Sequence, residues 1–360
     1  MNKVRKRQGC YNFREPKKFF VVYRFLKKTG DYPRLRVGKV MNHLSKILKV
    51  KDWLNTQIIG QEHLIDRILI ALLSDGHLLV EGAPGLAKTK AIKTLSEALI
   101  GEFQRIQFTP DLLPSDITGT EVYRAQDGSF EFQKGPVFHN LILADEINRA
   151  PAKVQSALLE AMAERTVSVG NRTLKLPELF LVMATQNPIE QEGTYSLPEA
   201  QLDRFLMKVK IDYPDSISER EILRLVRNES APGSSEKFAS PLTESDISAA
   251  KRDILGLHMA DAVEEYIVAL TMATRNPTRY SDSIKNQIDF GVSPRGTISL
   301  DLCSRANAYM SGKTFVSPDD VQEVIHDVFR HRLILSFEAE AQGIDPDEVI
   351  NSIIATVAVA

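Results

Sequence analysis

The chain has 360 residues, of which 43% are hydrophobic and 26% are charged, and its formal net charge is −2. This composition is typical of a globular protein long enough for two domains. No segment approaches the ~18 consecutive apolar residues that a membrane span needs, so insertion into a membrane is not expected. Two cysteines, Cys10 and Cys303, cannot form a disulfide framework, and the scattered histidines lack zinc-ligand spacing. We therefore expect a protein of a reducing compartment, the cytoplasm.

The first 40 residues are strongly basic. They contain 13 Lys and Arg against two acidic residues, whereas the rest of the chain contains 32 against 45. Such an arm can bind nucleic acid or anionic lipid, but a solvated, poorly ordered extension is the simpler interpretation. A second alternative is that translation starts at Met41, where the globular pattern begins.

Helices and short apolar strands alternate along the next part of the chain. The predicted helices include 63–73 and 88–99, and the predicted strands are 78–80, 106–108, 141–144, 180–184 and 206–211. This alternation is typical of a parallel sheet covered by helices on both faces, an α/β fold.

A Ser-, Pro- and Gly-rich stretch follows and resembles a linker. Beyond it the pattern is helical only, with predicted helices that begin near Thr243, cover 253–274 and 296–310, and begin again at Ser317. The predicted organisation is a basic extension over 1–43, an α/β core over 44–228, a linker over 229–241 and a small helical domain over 242–360.

A glycine-rich loop follows the first predicted strand and opens a helix. Its residues are Gly82, Ala83, Pro84, Gly85, Leu86, Ala87, Lys88 and Thr89. Backbone N–H groups in this context bind phosphate, Lys88 would reach the β- and γ-phosphates of ATP, and the Thr89 hydroxyl would ligate Mg²⁺. Alanine replaces the usual glycine before the lysine. We expect Ala87 to fit only if its φ is negative, because Cβ disfavours left-handed backbone.

Two further predicted strands end in polar residues. The apolar run 141–144 ends in Asp145 and Glu146, and the run 180–184 leads to Asn187. At the carboxyl edge of a parallel sheet, Asp145 could hold Mg²⁺ while Glu146 deprotonates the attacking water. Asn187 could position that water, although a turn-forming Asn-Pro is the alternative.

Two arginines complete the set of candidate catalytic residues. Arg204 precedes the last predicted strand of the core, and Arg295 opens a helix of the second domain. Each on its own could be an ordinary surface residue. An arginine brought to the γ-phosphate stabilises the charge of the transition state.

The ordered motifs resemble those of AAA+ ATPases, and specifically of the MoxR family. The matching segments are GAPGLAKT at 82–89, ADEINRAP at 144–151, QSALLEAM at 155–162, MATQNP at 183–188, LPEAQLDRF at 197–205 and VSPRG at 292–296. The similarity covers the chain from about residue 44 to the end, and alanine before the lysine is usual in that family.

This resemblance implies roles for several residues. Arg204 would be the finger that acts in a neighbouring subunit, and Arg295 the sensor of the second domain, reaching the nucleotide of its own chain. Ile59 and Gly60, within the segment 58–61, would line the adenine pocket. Two insertions, 109–138 and a hairpin over 165–177, are also shared with the family.

The resemblance further implies a self-assembled hexameric ring that remodels a protein client together with a von Willebrand factor A domain protein. Alternatives are a magnesium-chelatase-type subunit, a nucleic-acid-linked motor and a nucleotide-gated scaffold. The acidic body and the lack of a DNA-reading motif oppose nucleic acid as a partner. A scaffold that only binds ATP has no need of Glu146, Asn187 and both arginines.

Overall fold

The structure is a computed structural model that describes residues 34–126, 128–170, 172–188, 193–229, 238–280 and 284–358, with side chains from residue 43 onward. Residues 42–360 form one compact unit, whose fold is described below. The first helix, α1 (Arg34–Gln57), begins inside the stretch predicted as a basic extension. The prediction of poor order for residues 1–33 lies outside the described residues.

A five-stranded parallel sheet forms the centre of the core, in the order β2-β5-β8-β1-β9. Its strands are β1 (Leu78–Glu81), β2 (Phe103–Gln107), β5 (Leu141–Asp145), β8 (Leu181–Gln186) and β9 (Met207–Lys210). The three inner strands are almost continuously apolar because helices cover both faces of the sheet. The predicted α/β fold is confirmed.

The helices of the core form where apolar residues recur at helical spacing. They are α2 (Glu62–Leu73), α3 (Lys88–Glu97), the short α4 (Pro114–Thr118), α5 (Ala152–Glu164), the short α6 (Glu199–Leu202) and α7 (Ser216–Glu229). α5 packs on the sheet through Val154, Leu158 and Met162, which are at most 3% exposed. α7 differs, because none of its residues is buried.

Two antiparallel hairpins project from this core. The first pairs β3 (Gly119–Arg124) with β4 (Ser129–Lys134) inside the first predicted insertion. The second pairs β6 (Thr166–Val169) with β7 (Arg172–Lys175), which confirms the hairpin predicted over 165–177. Gly170 has a φ of +56°, as the two-residue turns of tight hairpins require.

The second domain consists mainly of helices. These are α8 (Glu244–Leu255), α9 (Asp261–Arg275), α10 (Pro294–Met310), α11 (Pro318–Phe329), the short α12 (Phe337–Ala341) and α13 (Pro346–Thr356). The predicted helix starts at Thr243 and Ser317 are confirmed, and each has a capping box. Ile350 and Ile353 of α13 are fully buried.

Two predictions for this domain were wrong. A continuous helix over 253–274 is interrupted, because α8 ends at Gly256 and β10 (His258–Met259) follows. The domain is also not purely helical, since β10 pairs with β12 (Phe315–Val316) and β11 (Ile288–Phe290) pairs with β13 (Ile334–Leu335). Strands of two or three residues are too short to produce a periodic pattern in the sequence. No helix in the described ranges has the length and apolar character of a membrane span.

Candidate functional site

The glycine-rich loop connects β1 to the N-terminus of α3, at the carboxyl edge of the sheet. Its two glycines are needed for different reasons. A Cβ on Gly82 would lie 2.4 Å from Cγ1 and 2.7 Å from the carbonyl oxygen of Ile211, so only glycine fits. Gly85 has a φ of +87° and free space around it. The loop therefore leads into the N-terminus of α3, where backbone N–H groups and the positive end of the helix dipole favour an anion.

Ala87 is the N-cap of α3 and has a φ of +56°. The expectation that alanine fits here only with a negative φ was wrong. A left-handed non-glycine residue costs about 1–2 kcal/mol. This strain is placed at the phosphate loop, where the surrounding structure enforces the conformation.

Lys88, the first residue of α3, is half-buried, and its ammonium group donates to the carbonyl oxygen of Gly82 at 2.7 Å. Burial lowers the pKa of Lys88, while the negative charges of Asp145, Glu146 and Glu81 raise it. The lysine thus lies within the field of the acidic residues at the neighbouring strand ends. An ammonium group in this position can bind phosphate oxygens.

Asp145 ends β5 and has a partner on each carboxylate oxygen. Oδ1 accepts a 2.6 Å hydrogen bond from the hydroxyl of Thr185 on β8, and Oδ2 accepts from Nη2 of Arg105 at 2.7 Å. The Arg105 side chain is half exposed, so the outer oxygen of Asp145 faces a cation on the solvent side.

Glu146 follows β5 directly and, like Ala87, has a left-handed φ, of +57°. Its backbone N–H donates to the Thr185 hydroxyl at 2.9 Å, and its Oε2 accepts from Nε2 of Gln107 at 2.8 Å. Arg149 lies 3.2 Å from the same oxygen. The carboxylate is therefore held by Gln107 and Arg149, and 25% of the side chain remains exposed.

The oxygen donors at this edge fit Mg²⁺. In the described part of the chain no three His, Cys, Asp or Glu side chains converge into a metal site made by protein alone. Magnesium at nucleotide sites takes one or two protein oxygens and completes its shell with phosphates and water. Asp145 and the Thr89 hydroxyl, in the first turn of α3, are donors of that kind.

Asn187 follows β8, the strand between β5 and β1, and is only 6% exposed. The sheet order thus brings the ends of β1, β5 and β8 together, as the sequence predicted for these candidate residues. Parallel α/β sheets bind ligands at this edge.

A cavity of about 310 Å³ adjoins the phosphate loop. Ile59 and Gln61 line it together with Pro84, Gly85, Leu86 and Ala87. Gly60 has a φ of +75°, and a Cβ there would lie 3.0 Å from Ser218 on α7. The segment proposed for the adenine pocket therefore forms one wall of this cavity.

The opposite wall was missed by sequence reasoning. It consists of apolar and aromatic side chains before and along α7, namely Tyr213, Pro214, Ile222, Leu225 and Val226. The apolar spacing within α7 was a usable signal. A helix with no fully buried residue that carries an apolar face along this cavity suits the flat base of a nucleotide.

Arg204 and Arg295 do not line that cavity. Both line another cavity of about 330 Å³, at the junction of the core and the helical domain. Arg204 donates through Nη1 to the carbonyl oxygen of Leu159 at 2.7 Å. Arg295 is 58% exposed, and its Nη1 lies 3.8 Å from Oδ2 of Asp203, the residue before Arg204. The structure therefore places both arginines beside the same cavity at the domain junction.

Sequence reasoning also missed the partners of the acidic pair, Arg105, Gln107 and Thr185. Arg105 and Gln107 are on β2, the edge strand beside β5. Pairing of strands that are distant in sequence cannot be read from local periodicity. Thr185, inside the segment MATQNP, was the one available signal.

Comparisons with known proteins agree with this geometry. Residues 77–207 match the family described as "ATPase family associated with various cellular activities (AAA)", and residues 282–353 match the AAA lid domain. Chaperone MoxR1 of Mycobacterium tuberculosis is 48% identical over 302 residues, which cover 84% of this chain and 79% of that protein. Protein MoxR of Paracoccus denitrificans is 32% identical over 85% of this chain and 94% of its own length.

A solved structure shows the same architecture. The candidate ATPase from Cytophaga hutchinsonii has a TM-score of 0.84 and 44% identity, and the match covers 90% of this chain and 97% of that one. Identities of this size over most of both chains, together with the phosphate loop and the acidic strand end, show that the chain belongs to the MoxR family of AAA+ ATPases.

Proposed function

We propose that this protein hydrolyses ATP in a Mg²⁺-dependent reaction and uses the energy to remodel a protein client. The observation that carries the proposal is the position of Lys88, Asp145 and Glu146 at the same edge of the sheet, where β1 leads into the glycine-rich loop and β5 ends. A cation for phosphate, a carboxylate for metal and a carboxylate for water thus meet at one sheet edge.

Each residue has a separate task in this mechanism. The backbone of the loop and Lys88 would hold the phosphates, while Thr89 and Asp145 would hold Mg²⁺, which when bound would neutralise charge at the phosphates. Glu146 accepts the proton of the attacking water, and Asn187 orients that water against the γ-phosphate. The apolar face of α7 and the segment containing Ile59 enclose the base.

We propose that Arg204 serves the nucleotide of a neighbouring subunit in a ring, and that Arg295 is the sensor of its own chain's nucleotide. Both line the cavity at the domain junction. An arginine brought to a γ-phosphate, from the same chain or from the next protomer, stabilises the charge of the transition state. A hexamer is the ring size that the family resemblance implies.

The test of ATP hydrolysis is steady-state phosphate release with and without Mg²⁺. Glu146→Gln should retain ATP binding and lose roughly 10²–10⁴-fold in kcat, the usual contribution of a general base. Lys88→Ala should weaken binding itself. Wild-type turnover in Glu146→Gln would show that Glu146 is not the base.

The proposal of a protein client rests on the similarity to the Mycobacterium protein, which is named as a chaperone, and on the family resemblance. We propose a von Willebrand factor A domain protein as the partner and the cytoplasm as the location. Glu146→Gln, held in its ATP state, should retain such a partner in a stable complex, whereas Lys88→Ala should not. Equal retention by both variants would argue against nucleotide-controlled binding.

We further propose that residues 44–228 form the ATPase core and 242–360 the helical domain, joined by a linker over 229–241. The two family matches, over 77–207 and 282–353, fall inside the ranges of the core and of the helical domain.

A further inference from the structure

Arg332 is a buried guanidinium with no part in the chemistry assigned above. It follows α11 in the helical domain, and its side chain is 2% exposed. Gly296 on α10 makes room for it, since a Cβ there would lie 3.0 Å from Cδ of Arg332. The side chain therefore reaches from the helical domain into the turn that carries Arg204.

Arg332 donates hydrogen bonds to backbone carbonyl groups before and after Arg204 in the chain. Nη2 donates to the carbonyl oxygens of Asp203 at 3.2 Å and Phe205 at 2.5 Å, and Nη1 donates to that of Leu206 at 3.0 Å. The residues immediately before and after Arg204 are thus held by one planar group. Lysine cannot make this set of bonds, because it lacks the rigid fork of donors.

The side chain of Asp203 makes further hydrogen bonds between this turn and the helical domain. Its Oδ1 accepts from Nε of Arg332 at 2.8 Å, and both its carboxylate oxygens accept from the hydroxyl of Ser293, at 3.0 and 2.9 Å. Ser293 is also the N-cap of α10, which carries Arg295. Burial lowers the pKa of Arg332 and Asp203 raises it, which agrees with a charge held in place by its counter-ion.

We propose that Arg332 is a positioning residue, through which the helical domain of one protomer fixes the Arg204 finger that this protomer presents to its neighbour. The inference rests on the proposed ATPase function and adds to it a route by which the helical domain of one subunit sets the turnover of the next. Arg332 itself is too deeply buried to contact nucleotide.

The main test compares Arg332→Lys with Arg330→Lys. Arg330 is also buried and also donates to a core carbonyl, that of Lys208, but it bonds none of the carbonyls beside Arg204. Arg332→Lys should lower kcat roughly tenfold or more, since small displacements of a catalytic group are costly, and should leave the nucleotide Kd unchanged. Arg330→Lys should keep kcat within about twofold, because the turn that carries Arg204 stays held.

A second measurement separates positioning from a general loss of structure. Mixing Arg332→Lys protein with Lys88→Ala protein should restore phosphate release, because Lys88→Ala subunits still carry intact fingers. A structural defect in the Arg332→Lys subunit's own nucleotide site would receive no such rescue, and failure of rescue would overturn the proposal.

A milder pair of variants decides the question if Arg332→Lys does not fold. Ser293→Ala removes one of the donors to Asp203 and should lower kcat a few-fold, again with rescue by Lys88→Ala. Its control is Ser317→Ala, the N-cap of α11, whose hydroxyl donates to Asp320 at 2.6 Å instead. The control should keep the wild-type kcat at a comparable loss of thermal stability.

The outcomes also separate this inference from the function on which it rests. If the wild type hydrolyses ATP and Arg204→Ala abolishes that activity while Arg332→Lys and Ser293→Ala remain at the wild-type kcat, only the positioning role is refuted. If the wild type shows no hydrolysis that Lys88→Ala removes, both ideas are refuted.

Discussion

The hydroxyl of Thr185 donates a 2.6 Å hydrogen bond to Oδ1 of Asp145, so the end of β8 orients the carboxylate at the end of β5. The same hydroxyl accepts from the backbone N–H of Glu146 at 2.9 Å. One fully buried threonine thus fixes both the proposed metal ligand and the proposed base.

We expect Thr185→Val to lower kcat roughly tenfold to a hundredfold, because the isosteric side chain leaves both acidic residues without their common partner. The unpaired buried groups should also cost about 1–3 kcal/mol of folding stability. Phosphate release and urea unfolding measure the two effects. Thr271→Val is the control, since Thr271 is equally buried and hydrogen-bonded but lies in the helical domain. A control that lost as much kcat would show that the effect is not local.

Mixing experiments should show which subunit each arginine serves. Arg204→Ala mixed with Lys88→Ala should regain activity, because some interfaces then combine an intact site with an intact finger. Arg295→Ala mixed with Lys88→Ala should regain none, because every subunit then carries a defect in its own nucleotide site. Phosphate release against mixing ratio is the measurement, with each mutant alone as the baseline. Rescue of Arg295→Ala as well would mean that Arg295 acts on the nucleotide of the neighbouring subunit.

Ala87→Gly should relieve the left-handed strain at the phosphate loop. The gain of about 1 kcal/mol is partly offset by the greater freedom of glycine in the unfolded chain. We therefore expect a small rise in stability with nucleotide affinity retained. Ala83→Gly is a suitable control, because Ala83 is not among the non-glycine residues with positive φ in the described part of the chain. Equal effects of both substitutions on the midpoint of urea unfolding would contradict the strain at Ala87.

His77 should make the protein sensitive to acid. Its ring is buried between the carbonyl oxygen of Met162 and the N–H of Val182, and burial lowers its pKa from 6.5 to about 4. Below pH 6.5 the unfolded chain binds this proton and the folded protein does not, so stability falls as the pH falls towards 4. The loss reaches about 2 kcal/mol at pH 5.

His77→Gln retains a donor and an acceptor but cannot titrate. Urea unfolding at pH 7, 6 and 5 should therefore show a shallower loss of stability in this variant than in the wild type. Other groups, including His331, titrate alike in both proteins, so the difference in slope belongs to His77. Parallel slopes would show that this histidine is not held neutral.

The sequence was most informative for features that depend on residues close together in the chain. The loop 82–89, the acidic strand end at 145–146 and the hairpin around Gly170 each depend on neighbouring residues, and their positions were correctly predicted. The capping boxes at Thr243 and Ser317 were predictable for the same reason.

Long-range contacts were not predictable from the same patterns. The pairing of Arg105 with Asp145 depends on the sheet order, and the contact of Arg332 with Asp203 joins residues 129 positions apart. The strain at Ala87 was also missed, because steric preference alone ignores a surrounding structure that enforces φ.

The ring of Trp53 on α1 lies 5.1 Å from that of Phe238, the first described residue after 230–237. Trp53 is the only tryptophan in the chain. Its fluorescence therefore comes from one place, beside Phe238. The protein carries its own optical reporter, and a change in emission when ATP is added would report a change around this pair of rings without any attached dye.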